Sequence, residues 1–234
     1  MQPELQPIRT GDPVRANDYA LQQHKVLRNT YWLLALSLIP TVIGAAIGTN
    51  IDFGFLRASP MLSFFAILAI FYGWIFAIQS NRNSSLGVGL LLGFTLFMGI
   101  LLGPLFQRIL GFSNGVELVM LAAGGTAAVF FVMAGIATTT TRDLTGLGRF
   151  LTVGAIVIML AVVANVFFKS PIAYLVIVSA FVLFSSLVIL WQINAIVRGG
   201  ETNYVSATLQ LYVAAYNLFT SLLQLLGIFG GNRN

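Results

Sequence analysis

The sequence predicts an all-α fold, a polytopic integral membrane protein built as a bundle of seven transmembrane helices with the seventh at its centre. Three observations lead there. First, 58% of the 234 residues are hydrophobic and 8% are charged, against about 25% charged residues in soluble domains; mean hydropathy is +0.90. Second, the chain beyond Tyr31 divides into long apolar runs with short polar breaks. Third, each run is close to the roughly 20 helical residues needed to cross a bilayer core about 30 Å thick.

Residues 1–30 precede the first run and hold Glu4, Arg9, Asp12, Arg15, Asp18, Lys25 and Arg28. This is a solvated N-terminal tail whose prolines (Pro3, Pro7, Pro13) and mixed charges fit disorder. Its polar stretch is too long and too mixed in sign for a secretory signal, so the first apolar run is expected to be retained. The runs fall at about Tyr31 to Gly48, Pro60 to Ile78, Ser85 to Phe106, Val116 to Thr138, Phe150 to Phe168, Ile172 to Val197 and Tyr204 to Phe229. None alternates polar and apolar residues as a barrel strand would, and each is about twice a membrane strand's length. The membrane domain is thus residues 31–229, followed by a short C-terminal tail, 230–234. Only Lys169, Ser170 and Pro171 separate the fifth run from the sixth. Pro171 suits the first turn of a helix, so a tight hairpin is expected there; without it the two runs would merge and leave six helices.

Lysine and arginine placement sets orientation, because cytoplasmic loops carry the excess. Arg9, Arg15, Lys25, Arg28, Arg82, Arg142, Arg149 and Arg198 fall on one side, and Arg57, Arg108, Lys169 and Arg233 on the other. The N-terminus is expected in the cytoplasm and the C-terminus outside. The lipid bilayer is the first partner this composition implies. Twelve Lys+Arg against seven Asp+Glu are too few charges for the basic face of a nucleic-acid binder, so no nucleic acid is expected.

The residue inventory also excludes chemistry. There is no cysteine and a single histidine, His24, outside the apolar runs. An intramembrane Ser/His protease needs an embedded histidine, an aspartyl one needs two embedded aspartates, and a metal hydrolase needs clustered His, Asp and Glu. None can be assembled, so no catalytic residue, metal ligand or cofactor site is assigned. Glu117, Arg198 and Glu201 lie at run ends, where interfacial water solvates them.

The amides carry more information. Asn203, Gln210, Asn217 and Gln224 recur every seven residues in the last run, interleaved with Ser206, Ala207, Ala214, Thr220 and Ser221. That is one polar, small-residue face, which turns toward protein or water rather than lipid. It fits amide glue between helices, the preferred reading, or a polar cavity or ion route. Asn165, Gln192 and Asn194 are candidate partners. Glycine pairs Gly44/Gly48, Gly89/Gly93 and Gly99/Gly103 fit ordinary close packing better than a dimerisation motif.

Three strings add a resemblance. The segment HKVLRNTY from His24, the GGT at Gly124, and GGETNYVSATLQLYVAAYNLFTSLLQLLG from Gly199 are similar to the Bax inhibitor-one family, in its bacterial YccA branch. The likeness runs from His24 over nearly the whole chain. It implies a seven-helix inner-membrane protein, not an enzyme, that binds and inhibits the membrane-anchored AAA protease FtsH and offers it a cytoplasmic tail. Other bacterial members of the family are pH-sensitive calcium leaks gated by two aspartates, which makes Ca2+ the alternative partner. Those aspartates map by their flanking residues onto Gln192 and Ala214 of this sequence. Neither side chain titrates, so a coupled acid pair acting as a pH switch is not expected; a cation leak without that sensor is the alternative.

Overall fold

The computed structural model describes residues 13–54 and 58–231, with the backbone alone described for 13–20 and Thr145. Of the expectations above, tail residues 1–12, Arg57 and the C-terminal Asn232, Arg233 and Asn234 lie outside the described residues. Among the described residues eight main helical elements follow one another: α1 (Pro13–Gly48), α2 (Pro60–Ser80), α3 (Ser85–Leu101), α4 (Gly103–Ile109), α5 (Gly115–Thr139), α6 (Thr145–Phe168), α7 (Pro171–Val197) and α8 (Tyr204–Gly230). Among the described residues seven spans are long and apolar enough to cross a membrane, with α3 and α4 together forming the third, Ser85–Ile109.

α1 begins well before its apolar part. Its 36 residues span about 54 Å at 1.5 Å per residue, far more than a bilayer core. Disorder was the expectation for residues 1–30; from Pro13 the segment is instead helical, because it continues a long span and so shares that helix's nucleation cost. Pro40 lies inside α1 and removes a backbone donor. Hydroxyls cluster around it: Ser37 donates to the Leu34 carbonyl at 2.6 Å and Thr41 to the Ser37 carbonyl at 2.8 Å.

The tightest contact in the bundle is between α1 and α3–α4. A Cβ on Gly44 would sit 2.2 Å from the Leu96 carbonyl oxygen, and one on Gly99 would sit 2.2 Å from that of Thr41. Gly48 and Gly103 repeat the pattern one turn on, at 2.3 Å from the Ile100 and Gly48 oxygens. Only glycine lets two backbones meet so closely. Two of the three glycine pairs therefore pack against each other within the chain, as the ordinary-packing reading expects. The third divides: Gly93 faces the Trp74 ring, and Gly89 has nothing within 4 Å. Pro104 at the start of α4 cannot donate to the Ile100 carbonyl, which leaves that oxygen turned to Gly48.

The hairpin expected at 169–171 is present. Asn165 ends α6, its carbonyl accepting from Lys169 N–H at 2.8 Å and its side-chain oxygen from Ser170 N–H at 3.0 Å. Lys169 takes a left-handed conformation, φ 50°. Ser170 then caps α7 by accepting from Ala173 N–H at 3.3 Å, ahead of Pro171. At the opposite end Asn194 of α7, 2% exposed, donates to the Ala137 carbonyl and accepts from Leu144 N–H, both at 3.3 Å. One amide thus joins the end of α5, the start of α6 and α7.

α8 is central. It packs against α1, α2, α3, α5 and α7. Each of the three buried clusters contains its residues: Leu209 and Tyr212 with Leu33, Ile78 and Phe94; Leu211, Ala214 and Leu218 with Ala137, Ile189 and Ile193; Leu223 with Ile109, Leu118 and Ala122. The periphery is apolar and exposed, Trp32, Phe76, Phe131 and Phe168 among it, as a lipid-facing surface requires. α6 is the most peripheral span, resting on α7 without comparable contact to α8.

Candidate functional site

Three faces of α8 differ in chemistry. The face toward α1 and α3 carries hydroxyls in a buried network. Thr208, fully buried, donates to its own Tyr204 carbonyl at 2.7 Å and lies 3.3 Å from the Thr30 carbonyl. The Tyr212 hydroxyl lies 2.8 Å from Thr41 Oγ1 and 3.4 Å from the Thr95 carbonyl. Thr41 already donates to Ser37, so the tyrosine's single proton goes to the Thr41 oxygen, the nearer acceptor. Tyr216 donates to the Met98 carbonyl at 3.1 Å. The Tyr212 ring also meets Phe94 edge-on, centroids 6.0 Å apart, an arrangement worth roughly 0.5–1.5 kcal/mol. These tyrosines were not among the sequence candidates. Their spacing of four residues reads as an apolar helical stripe, and their acceptors lie more than a hundred residues away.

The second face, toward α5 and α7, is aliphatic. Ala214 lies there beside Leu211 and Leu218, in the cluster with Ile189 and Ile193. Gln192 is on α7 and 1% exposed; its Nε2, like the hydroxyls of Thr30 and Ser185, has no partner among the described residues. The positions to which the resemblance assigns a carboxylate pair thus hold a methyl group in an aliphatic cluster and a buried amide.

The third face borders a cavity of about 340 Å³ between α6, α7 and the second half of α8. α8 supplies Asn217, Thr220, Ser221 and Gln224, with Asn165 from α6 and Tyr174 from α7. The opposite wall is apolar: Val162, Ile177 and Phe181. Tyr174 donates to Gln224 Oε1, and Gln224 Nε2 donates to the Thr220 carbonyl at 2.9 Å. The Asn217 amide and Ser221 hydroxyl have no partner among the described residues.

The four amides expected on one face therefore divide. Asn217 and Gln224 meet at the cavity with Asn165. Asn203 lies outside it: its side-chain oxygen caps α8 by accepting from Val205 and Ser206 N–H at 3.0 Å, and its Nδ2 donates to the Arg82 carbonyl and Asn83 Oδ1. Gln210 is half-buried and bonded to no described side chain. The hydrogen-bonded glue at this end comes from Ser206, which donates to Gln79 Oε1 on α2 at 2.7 Å. Asn194 serves the α5–α6 turn rather than α8. The run-end charges stay at helix ends: Glu117 in the first turn of α5, Arg198 reaching the Thr140 carbonyl, and Glu201 accepting from Asn203 N–H. Among the described residues no three His, Cys, Asp or Glu gather as metal ligands.

Comparison with known proteins places this architecture. Residues 23–231 match the family model described as inhibitor of apoptosis-promoting Bax1. An uncharacterized protein of Neisseria meningitidis serogroup A is 46% identical over 210 residues, 89% of this chain and 92% of its own length. The modulator of FtsH protease YccA of Escherichia coli K12 is 40% identical over 207 residues, 88% of this chain and 91% of its own. A protein of E. coli O6:H1 with the same identity and coverage is named inner membrane protein YccA.

Proposed function

The chain belongs to the Bax1-I family, inhibitor of apoptosis-promoting Bax1, and we propose that it is a non-enzymatic inner-membrane protein that binds and inhibits the membrane AAA protease FtsH. The observation that carries this reading is the 40% identity to a protein named modulator of FtsH protease across nearly the full length of both. The lysine and arginine asymmetry supports a cytoplasmic N-terminus. The protease would then meet the 1–30 tail, whose latter part extends α1 beyond the membrane domain. The 230–234 tail would lie outside the cell. Reporter fusions at the two termini test that orientation.

The interior of the bundle fits a regulator. α8 is held by carbonyl and hydroxyl bonds to α1 and α3 and by aliphatic packing against α5 and α7. Ala214 and Gln192 offer no titrating group. The expected outcome is co-purification with FtsH, and slower turnover of another membrane substrate of that protease when this protein is overproduced. Unchanged turnover overturns the proposal. One feature favours a second reading, a leak for calcium or another cation: the amide-lined cavity beside Asn217. Oxygen ligands suit calcium, although here they are neutral. Liposomes holding a calcium dye separate the two readings, since flux abolished by Asn217→Leu supports a conduit and absence of flux removes it.

A further inference from the structure

The cavity between α6, α7 and α8 has two walls of opposite character and basic residues nearby. On α8, Asn217, Ser221 and Gln224 succeed one another over seven residues, about 10 Å of helix. The facing wall is Val162, Ile177 and Phe181. Two cations lie toward the end nearer the α6–α7 hairpin, outside the lining itself. Lys169 sits in the turn, exposed, and the exposed Arg108 of α4 is within electrostatic reach of Tyr174. Neither forms an ion pair with a described residue.

Unpartnered polar groups at the depth of the hydrocarbon are costly, several kcal/mol each where nothing replaces water. Asn217 and Ser221 are two such groups, side by side along one wall. α6 rests on α7 without comparable contact to α8, so the entry route inferred for a ligand from the bilayer into this groove is between α6 and α8. Its volume of about 340 Å³ is at the small end of ligand sites, about 300–1,000 Å³. That accommodates a headgroup and glycerol unit while leaving acyl chains largely among their neighbours.

We propose that this groove binds one anionic phospholipid from the leaflet at the α6–α7 end. Its phosphate pairs with Lys169 and Arg108. Its ester carbonyls accept hydrogen bonds from the Ser221 hydroxyl and the Asn217 amide. The upper part of one chain lies against Ile177 and Phe181. The two cations favour an anionic lipid over a zwitterionic one, and the amphipathic walls favour a lipid over a free anion. The binding is independent of FtsH recognition, so either proposal can fail alone.

The test uses the full chain in lipid nanodiscs doped with phosphatidylglycerol carrying a photoactivatable group on one acyl chain, with adducts mapped by mass spectrometry. Adducts concentrated on residues 162–181 of α6 and α7 are expected, with the yield falling about tenfold, equivalent to roughly one decade of affinity, on groove filling by Ser221→Phe. Because a bulky residue there can disturb folding, the exposed double variant Lys169→Gln with Arg108→Gln is the second arm, and a reduction of several-fold is expected. Three results overturn the proposal: adducts spread evenly onto Phe76 and Phe131; equal labelling by a phosphatidylcholine probe; or displacement of the lipid probe by inorganic phosphate.

Discussion

The two halves of α8 are built from similar residues and do different things with them. From Asn203 to Tyr212 the hydroxyls of Ser206, Thr208 and Tyr212 each find a protein acceptor, and the capping amide ties the helix to the turn between α2 and α3. From Asn217 to Gln224 an equally polar set borders a cavity, and two of its members have no partner among the described residues. A polar residue in a membrane helix is therefore glue or lining according to the neighbour it meets. The first half meets α1 and α3, drawn close by glycine; the second meets α6, which stands off.

The largest effect expected comes from breaking the close approach itself. Gly99→Val places a Cβ 2.2 Å from the Thr41 carbonyl oxygen, and backbone cannot yield as a side chain does. Destabilisation of about 3 kcal/mol or more is expected, read as loss of monodisperse protein on extraction from the membrane. Gly89→Val, where nothing lies within 4 Å, is expected to extract normally. If both behave alike, the α1–α3 contact is not what holds the first half.

The next contrast concerns two buried amides two residues apart on α7. Asn194→Leu strips partners from the Ala137 carbonyl and Leu144 N–H and is expected to cost about 1–3 kcal/mol. Gln192→Leu removes a buried donor that has no partner among the described residues. It is expected to be neutral or stabilising by about 1 kcal/mol. Thermal unfolding in detergent measures both, and equal losses would mean that Gln192 has a partner of its own.

A smaller difference separates the two halves of α8 directly. Tyr212→Phe deletes the bond to Thr41 and is expected to destabilise by about 0.6–2 kcal/mol, the range for hydrogen bonds between membrane helices. Asn217→Leu deletes no bond to a described residue and is expected to leave the unfolding temperature unchanged. A larger loss at Asn217 than at Tyr212 would reverse the assignment of glue and lining.

Much of this fold was legible in the sequence, for physical reasons that also mark where legibility ended. Seven spans follow from length and hydropathy, the 169–171 hairpin from Pro171, and the centrality of α8 from its polar stripe. The division of that stripe was not legible. Asn203 falls at the N-cap, in extended conformation outside the helix, and within the helix a heptad repeat drifts by about 20° per repeat, so Gln210 and Gln224 point roughly 40° apart and meet different neighbours. The tyrosine network was hidden because each hydroxyl finds its acceptor on a distant helix. The glycine pairs were visible, but spacing alone does not say whether the facing backbone belongs to the same chain.

The smallest effect tests the turn that holds α6 away from α8. Lys169 has φ 50°, a left-handed conformation that costs a side-chain-bearing residue about 1–2 kcal/mol and that glycine adopts freely. Lys169→Gly relieves that strain but gives the unfolded chain more freedom to lose, so a net gain of only about 0.5–1 kcal/mol in unfolding experiments is expected. Asn is the other residue tolerated in this region, and Lys169→Asn should retain part of the gain. Both variants remove a cation near the groove. A more stable protein that captures less phosphatidylglycerol would show that the lysine is kept for the groove at the expense of the turn. Loss of stability in both variants would mean instead that the lysine's contacts, and not its backbone, govern the hairpin.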